Sequence, residues 1–353
     1  MEAKGDYRGI VHRTDAELKA WLAKKPGEAA LEPDLPVIDP HHHFWDAPNR
    51  GLYLIPELVA DLAGGHKVVS TVFLECRAMY RAEGPEAMRP VGEVEFVRGL
   101  AAMSASGTYG SCRIAEAIIG HADLTLGAAV KEVLEAEIDA GGGRFKGIRF
   151  TTPTDPDPAV AKHVSRVVPA KQLLEPKFRE GFAQLAPLGL TFDAYMYHPQ
   201  LPDLIDLARA FPGTTIILDH VGGVLGVGAY AGKRQEILAG WLKDIAVLAK
   251  CPNVRVKLGG LGMTAFGFDF HERAAPPSSE DLAQAWRPYI EPCIEAFGPE
   301  RCMFESNFPP DKQSCGYTEL WNAFKHITAK ATAAEKRALY SGTAARVYGL
   351  VVP

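Results

Sequence analysis

The chain lacks several features that would place it in a specialised class of protein. Its six cysteines are scattered without a C-x-x-C pair. No apolar run approaches the roughly 20 residues that span a bilayer, and no signal-peptide pattern precedes the first predicted strand. These absences favour a cytoplasmic protein whose cysteines are small buried hydrophobic residues.

Positive charge is not in excess either. The formal net charge is -5, so the chain has no basic field for nucleic acid or for an anionic membrane surface. We therefore expect a small-molecule partner, or further copies of the same chain in a homo-oligomer. Repeats, low-complexity tracts and linkers are absent too, which favours one large domain of 353 residues with 47% hydrophobic content.

Short apolar runs alternate with segments of helical spacing along the chain. Near-continuous apolar strands separated by helices indicate a parallel sheet covered on its outer face, and eight such units predict a (β/α)8 TIM barrel. The eight predicted strands are 37–39, 69–75, 114–119, 145–150, 190–195, 215–218, 254–258 and 302–305. A capping-box pattern at Thr14 and Glu17 predicts one helix in an N-terminal leader, residues 1–36, ahead of the barrel at residues 37–353.

Three consecutive histidines follow the first predicted strand. Because side chains alternate along a strand, His41 and His43 share one face while His42 points to the other. Two imidazoles on one face can hold one divalent metal ion or orient a polarised water or carbonyl. A structural or surface role is the alternative, but the position between a strand and the aromatic pair Phe44 and Trp45 favours a site.

Other polar residues cluster where the predicted strands end. In a barrel of this kind the loops at the carboxyl ends of the strands form the mouth that carries the chemistry. Any one of these residues could be structural, but their joint placement indicates one site. They are Glu75 and Arg77 after strand two, Arg149 on strand four, Tyr195 and His198 at strand five, Asp219 and His220 at strand six, Lys257 on strand seven, and Asn307 after strand eight.

The order of these motifs resembles the amidohydrolase superfamily. His41-x-His43, His198, Asp219-His220 and the strand-eight segment 304–309 carry the resemblance, which extends from about residue 37 to the C-terminus. The most similar part of the superfamily is its amidohydrolase-related branch, which includes 2-pyrone-4,6-dicarboxylate lactonase, sugar lactonases and carboxymuconate semialdehyde decarboxylases.

The resemblance implies a metal-dependent site. His41, His43 and His198 would be the ligands of a divalent metal, zinc or a similar ion, and His220 would assist the substrate oxygen or the water. Asn307 stands where the family has an aspartate, so it cannot act there as an anion, and a metal-free site is the alternative. We therefore predict His220, His198 and Asn307 as catalytic residues.

The remaining polar residues are the predicted substrate contacts. The resemblance assigns Arg149 to a substrate carboxylate or ring oxygen, and Glu75, Arg77, Tyr195 and Lys257 could complete the pocket. The leading hypothesis is a hydrolase that opens a small oxygenated lactone, anionic or neutral. A metal-dependent decarboxylase of an aromatic or muconate-type acid, and a non-catalytic or partner-dependent subunit, are the alternatives.

Overall fold

The computed structural model describes residues 12–164, 166 and 168–352. Residues 1–11 of the predicted leader therefore lie outside the described residues. The rest of the leader contains the predicted helix, α1 (Asp15–Leu22), and Thr14 and Glu17 form the expected capping box at its start.

Eight strands of the described chain form one parallel sheet in which neighbours along the chain are neighbours in space. They are β1 (Val37–His42), β4 (Val68–Leu74), β5 (Arg113–Gly120), β6 (Phe145–Thr151), β7 (Thr191–Tyr195), β8 (Ile216–Leu218), β9 (Val254–Leu258) and β10 (Cys302–Phe304). A small antiparallel hairpin, β2 (Trp45–Ala47) and β3 (Gly51–Tyr53), follows β1.

The segment after β10 closes the sheet against β1. The Asn307 amide donates to the His41 carbonyl at 2.9 Å, and the His43 amide donates to the Phe308 carbonyl at 2.8 Å. The predicted (β/α)8 barrel is confirmed, and its closing seam passes directly through the histidine segment.

Helices follow the strands and cover the outside of the barrel. They are α2 (Ile55–Leu62), α3 (Val91–Ala105), α4 (Val130–Gly141), α5 (Pro158–Ala161), α6 (Pro176–Phe182), α7 (Leu201–Ala210), α8 (Arg234–Leu248), α9 (Ser279–Phe297), α10 (Tyr317–Ile327), α11 (Ala333–Arg337) and α12 (Thr343–Tyr348). A π-helical turn, Ala338–Gly342, separates α11 from α12. Within the described residues, none of the helices combines the length and the apolar character needed to cross a membrane.

Strand alternation builds an apolar layer inside the barrel. Ile38, Ile217 and Met303 lie in this inner cluster, and Tyr348 of α12 packs against it. Because the side-chain period of a strand is two, Asp219 and Glu305 face the same interior as Ile217 and Met303. At the carboxyl end of the barrel, buried ionisable side chains therefore lie directly above this apolar layer.

Candidate active site

A cavity of about 600 Å³ opens at the carboxyl ends of the strands. Three apolar or cationic side chains of α1, Leu18, Lys19 and Leu22, also line it, so the leader forms part of its wall. The polar side chains that the barrel contributes include His43, Glu75, Arg77, Arg149, Tyr195, His220 and Asn307. The cavity has the size of a small-molecule site.

Three imidazoles and one carboxyl group meet at the base of this cavity, where His43 and His220 line it and His41 and Glu305 lie behind them. His41 Nε2 lies 3.3 Å from His43 Nε2, and the centroids of the His41 and His220 rings are 4.5 Å apart. Glu305 lies behind two of these rings, with Oε1 2.7 Å from His220 Nδ1 and Oε2 2.6 Å from His41 Nδ1. His43 Nδ1 contacts the Leu74 carbonyl at 2.9 Å, which fixes the ring from the neighbouring strand.

The Glu305 and His220 side chains form a buried hydrogen-bonded pair. Burial, opposed by Lys257, raises the pKa of Glu305 well above its ordinary value, and Asp219 adds to this rise. Burial lowers the pKa of His220 to about 3. The imidazole is therefore neutral near pH 7, and because Nδ1 contacts Glu305, Nε2 is the nitrogen left to face the cavity.

Two consecutive glycines after β9 leave room for the side chains of Glu305 and His220. A Cβ on Gly260 would lie 2.1 Å from His220 Nδ1, and a Cβ on Gly259 would lie 2.5 Å from Glu305 Cγ. Gly260 also has φ +67°, a conformation that other residues rarely adopt. The close approach of backbone and imidazole therefore requires glycine at this turn.

Arg149 is held by Glu75 and reaches the histidines. Its Nε donates to Glu75 Oε1 at 2.9 Å, its Nη2 donates to the Glu75 carbonyl, and its Nη1 lies 3.2 Å from His41 Nε2. Arg149 is only 6% exposed, so most of its donors are engaged inside the protein. The predicted pair Arg149 and Glu75 lines the cavity, but its first role is to orient His41.

Lys257 lies below the cavity rather than in its wall. Its Nζ is 2.5 Å from Asp193 Oδ1 and 3.1 Å from Asp219 Oδ1, and all three side chains are fully buried. Burial opposes the charge of Lys257, but Asp193 and Asp219 raise its pKa above the ordinary value. Lys257 is not among the described residues that line the cavity, where a substrate contact was expected, and the structure places its side chain in an internal ion cluster.

The ligating groups differ from the predicted set. Among the described residues, His41, His220 and Glu305 form a group whose ligating atoms all lie within 4.8 Å of one another, whereas His41, His43 and His198 do not. His198 Nδ1 instead accepts from the Leu225 amide at 3.3 Å, and its ring contacts Tyr230. The structure therefore does not bring His198 into this group, because the turn after β7 directs Nδ1 to the Leu225 amide, and its catalytic role stays a prediction.

Asn307 lies at the barrel mouth, and its side-chain amide is hydrogen-bonded to another residue of the mouth. Its Nδ2 donates to Asp311 Oδ1 at 2.8 Å, while Asp311 Oδ2 accepts from the Gly262 amide at 2.8 Å. Burial raises the pKa of Asp311 to about 8. The amide that stands in place of the family aspartate therefore ties two mouth loops together, and its catalytic role stays a prediction.

Of the other side chains considered in the sequence, two line the cavity and one points away from it. Arg77 and Tyr195 line the cavity, and the Tyr195 ring lies edge-on to His220 with centroids 5.2 Å apart. His42 points away, as the alternation predicted, and its Nε2 lies 2.8 Å from Thr71 Oγ1. His42 is therefore a core residue of the barrel wall.

Sequence reasoning missed Glu305 and Asp193 as members of this cluster, and it named Asp219 at the strand end without giving it a role. Asp219 and Glu305 each follow an inward-facing strand residue by two positions, so the alternation contained the signal. The strand-eight motif drew attention to Asn307, which forms the closing turn. The inward carboxylate of that motif is Glu305.

Comparisons with known proteins agree with this geometry. The model of the amidohydrolase family matches residues 38–350. An uncharacterized protein of Sinorhizobium fredii is 32% identical over 341 residues, covering 89% of this chain and 99% of that protein. An L-fucono-1,5-lactonase of Burkholderia multivorans is 26% identical over 329 residues, covering 90% and 97%.

A solved structure shares the fold. The crystal structure of an amidohydrolase of Burkholderia multivorans with bound zinc superposes with a TM-score of 0.67 at 24% identity, covering 89% of this chain and 99% of that one.

Proposed function

The chain belongs to the amidohydrolase family, and we propose that it hydrolyses a small lactone by attack of water on the ring carbonyl. The observation that carries the proposal is the placement of His220, which lines the cavity and has Glu305 Oε1 2.7 Å from its Nδ1. An imidazole held in this way through one nitrogen can act as a general base through the other. The L-fucono-1,5-lactonase relative, similar over 90% of this chain, supports the same chemistry.

The residues at the cavity floor fit a divalent cation. Glu305 Oε2 is buried without an aligned hydrogen bond among the described residues, although His41 Nδ1 lies 2.6 Å away. Within the described chain, the buried carboxyl groups of Glu75, Asp193 and Asp219 lie within ion-pair distance of Arg149 or Lys257, and Glu305 is the fourth buried carboxyl group of this cluster. A carboxyl oxygen without an aligned hydrogen bond beside an imidazole, in a cluster with more carboxyl groups than basic side chains, matches the donor preferences of zinc.

His41 and Glu305 would hold the cation, and the His220 ring would lie beside it with Nε2 left free to act as the base. When bound, such an ion polarises the substrate carbonyl and lowers the pKa of a nearby water. Metal analysis of the purified protein tests the assignment. His41→Asn is expected to lose bound zinc and His198→Asn to keep it; the reverse result would restore the predicted ligand set.

The chain's own residues supply the remaining steps. His220 Nε2 takes the proton of the attacking water, and Glu305 Oε1, 2.7 Å from His220 Nδ1, orients the ring for this transfer. The guanidinium of Arg149, 3.2 Å from His41 Nε2, supplies positive charge near the developing oxyanion. Tyr195 packs on the His220 ring and limits its rotation.

The cavity lining favours an oxygen-rich substrate. Arg77 and Lys19 are exposed cations that line it, and neither makes an ion pair within the described residues. Such side chains can donate to hydroxyl or carboxylate oxygens of a sugar-derived or acidic lactone. We therefore place polyhydroxylated lactones first among the candidate substrates.

A substrate panel tests the proposal. The full-length protein is mixed with five- and six-membered sugar lactones, including L-fucono-1,5-lactone, and proton release is followed in weak buffer at constant pH. Release above the spontaneous rate supports a lactonase. Release of carbon dioxide from carboxylated aromatic acids, with no hydrolysis of the lactones, supports the decarboxylase alternative. If the protein turns over neither class of substrate, the proposal is contradicted.

A further inference from the structure

A second cluster of imidazoles lies at the rim of the barrel mouth, apart from the floor of the cavity. His12 comes from the leader just before α1, and His271 and Glu272 come from the loop between β9 and α9. The His12 and His271 ring centroids are 4.1 Å apart, and His271 Nε2 lies 3.1 Å from Glu272 Oε1. The ligating atoms of these three residues all lie within 4.8 Å of one another.

One nitrogen of this cluster, His12 Nε2, is buried and makes no hydrogen bond within the described residues. The same holds for Nε2 of His163, whose Nδ1 lies 3.1 Å from Thr264 Oγ1. Buried polar atoms are nearly always paired in folded proteins, so unpaired imidazole nitrogens beside a carboxylate indicate a missing ligand.

The charges around the cluster are mixed. Burial lowers the pKa of His271, while the carboxylates of Glu272 and Asp269 oppose that effect. Two cations, Arg13 and Lys162, lie near the cluster, and the Arg13 guanidinium donates to the carbonyls of His271 and Gln313 and is thereby directed to the backbone. The two carboxylates leave the cluster able to accept a positive ion.

We propose that His12, His271 and Glu272 form a metal site for a zinc-like divalent ion, which fastens the leader to the loop before α9. Two imidazoles and one carboxylate are a common zinc donor set, with a fourth position for water or a further imidazole. His163 is the further imidazole offered by this rim. The site shares no residue with the group His41, His220 and Glu305.

The leader segment that this ion would fasten also forms part of the cavity wall. Leu18, Lys19 and Leu22 of α1 line the cavity, and α1 starts three residues after His12. An ion bound at the rim therefore holds α1 in its place over the mouth. In this way the rim site sets how readily the wall of the cavity opens.

Zinc stoichiometry of the full-length protein tests the proposal. The protein is stripped with a chelator, titrated with Zn²⁺ alone, freed of excess ion by gel filtration and analysed by mass spectrometry of the elements. His12→Ala and His271→Ala are each expected to bind one zinc fewer per chain than the wild type. His326→Ala is the matched control, because its half-buried imidazole bonds to Ser279 outside both groups.

Protease protection gives a second readout. Zn²⁺ is expected to slow trypsin cleavage at Lys19 and Lys24 about fivefold or more in the wild type and to have no such effect in His12→Ala. Equal zinc stoichiometry in the wild type and in both rim variants would overturn the proposal. His41→Ala reports separately on the cavity floor, so failure there leaves the rim result intact.

Discussion

At the scale of single residues, Glu305 links the histidines of two strands. It contacts His41 through one oxygen and His220 through the other, and it also accepts from the His220 backbone amide at 3.2 Å. A side chain with two equivalent acceptor oxygens is required for this double contact. Glu305 is therefore the residue on which the arrangement of the cavity floor most depends.

Glu305→Gln tests this dependence. The amide keeps the shape but offers one acceptor and one donor, so one of the two histidines must change its tautomer. We expect kcat for the best lactone to fall about a hundredfold or more. Glu116→Gln, a partly exposed carboxylate on β5, is the matched control and should leave the rate unchanged; an unchanged rate in Glu305→Gln would remove the residue from the site.

Arg149→Lys distinguishes a role of Arg149 in positioning His41 from a role in stabilising the fold. A lysine keeps the charge, but its single nitrogen cannot contact both Glu75 and His41 as the guanidinium does. Because Arg149 is buried, we expect the free energy of unfolding to drop by about 1–3 kcal/mol along with the rate. Urea denaturation and lactone kinetics measure the two effects, and full activity in a destabilised protein would make Arg149 purely structural.

At the scale of elements, the site depends on turns that directly follow the strands. His220 and Asn307 have φ +54° and +52°, in the left-handed region that non-glycine residues seldom occupy. Such backbone conformations persist where the surrounding structure enforces them, and they are common at functional sites. The strand ends therefore hold the predicted catalytic side chains through backbone conformation as well as through hydrogen bonds.

Gly260→Ala tests the turn after β9. An added methyl would meet His220 Nδ1 at a φ unsuited to alanine, so we expect His220 to move and kcat to fall at least about tenfold. Gly240→Ala in α8 has open space around its Cβ and serves as the control, with unchanged rate and slightly higher stability. Equal kinetics in the two variants would show that the ring position does not matter.

The strand pattern could be predicted from the sequence, but part of the site could not. The eight apolar runs gave the barrel because strand period and helix spacing are local properties. His41, His43 and His220 followed from their positions at strand ends. The path of a loop is not local, so the sequence could not show that the turn after β7 brings His198 to the Leu225 amide. The depth of a side chain within the barrel depends on three-dimensional register, so the ion pairs of Lys257 and the position of Glu305 could not be predicted either.

At the scale of the whole molecule, the leader is part of the mouth. Trp21 is 3% exposed, and its Nε1 donates to the Arg273 carbonyl at 2.8 Å, while Asp15 accepts from the Leu52 amide at 3.0 Å. These contacts join the leader to loops at opposite ends of the barrel sequence. The division into leader and barrel therefore describes the chain order, and the cavity belongs to both.

Buried histidines couple folding of the whole molecule to pH. Burial lowers the pKa of His42 to about 3, so between pH 3 and 6.5 the unfolded chain binds a proton that the folded chain does not. Stability contributed by His42 is therefore lost as pH falls through 6.5. Between pH 7 and pH 5, the free energy of unfolding of His42→Asn should fall by about 1–2 kcal/mol less than that of the wild type, as measured by urea denaturation at both pH values. Equal losses in the two proteins would contradict the assignment.

The most direct test of the whole account is the rate of lactone hydrolysis by His220→Asn, measured together with metal content. Asparagine keeps a hydrogen bond to Glu305 but cannot exchange a proton near neutral pH. We predict that proton release from the best lactone falls at least about a hundredfold while the variant stays folded, with His326→Asn at the wild-type rate. Turnover by His220→Asn within a few-fold of the wild type would contradict the account.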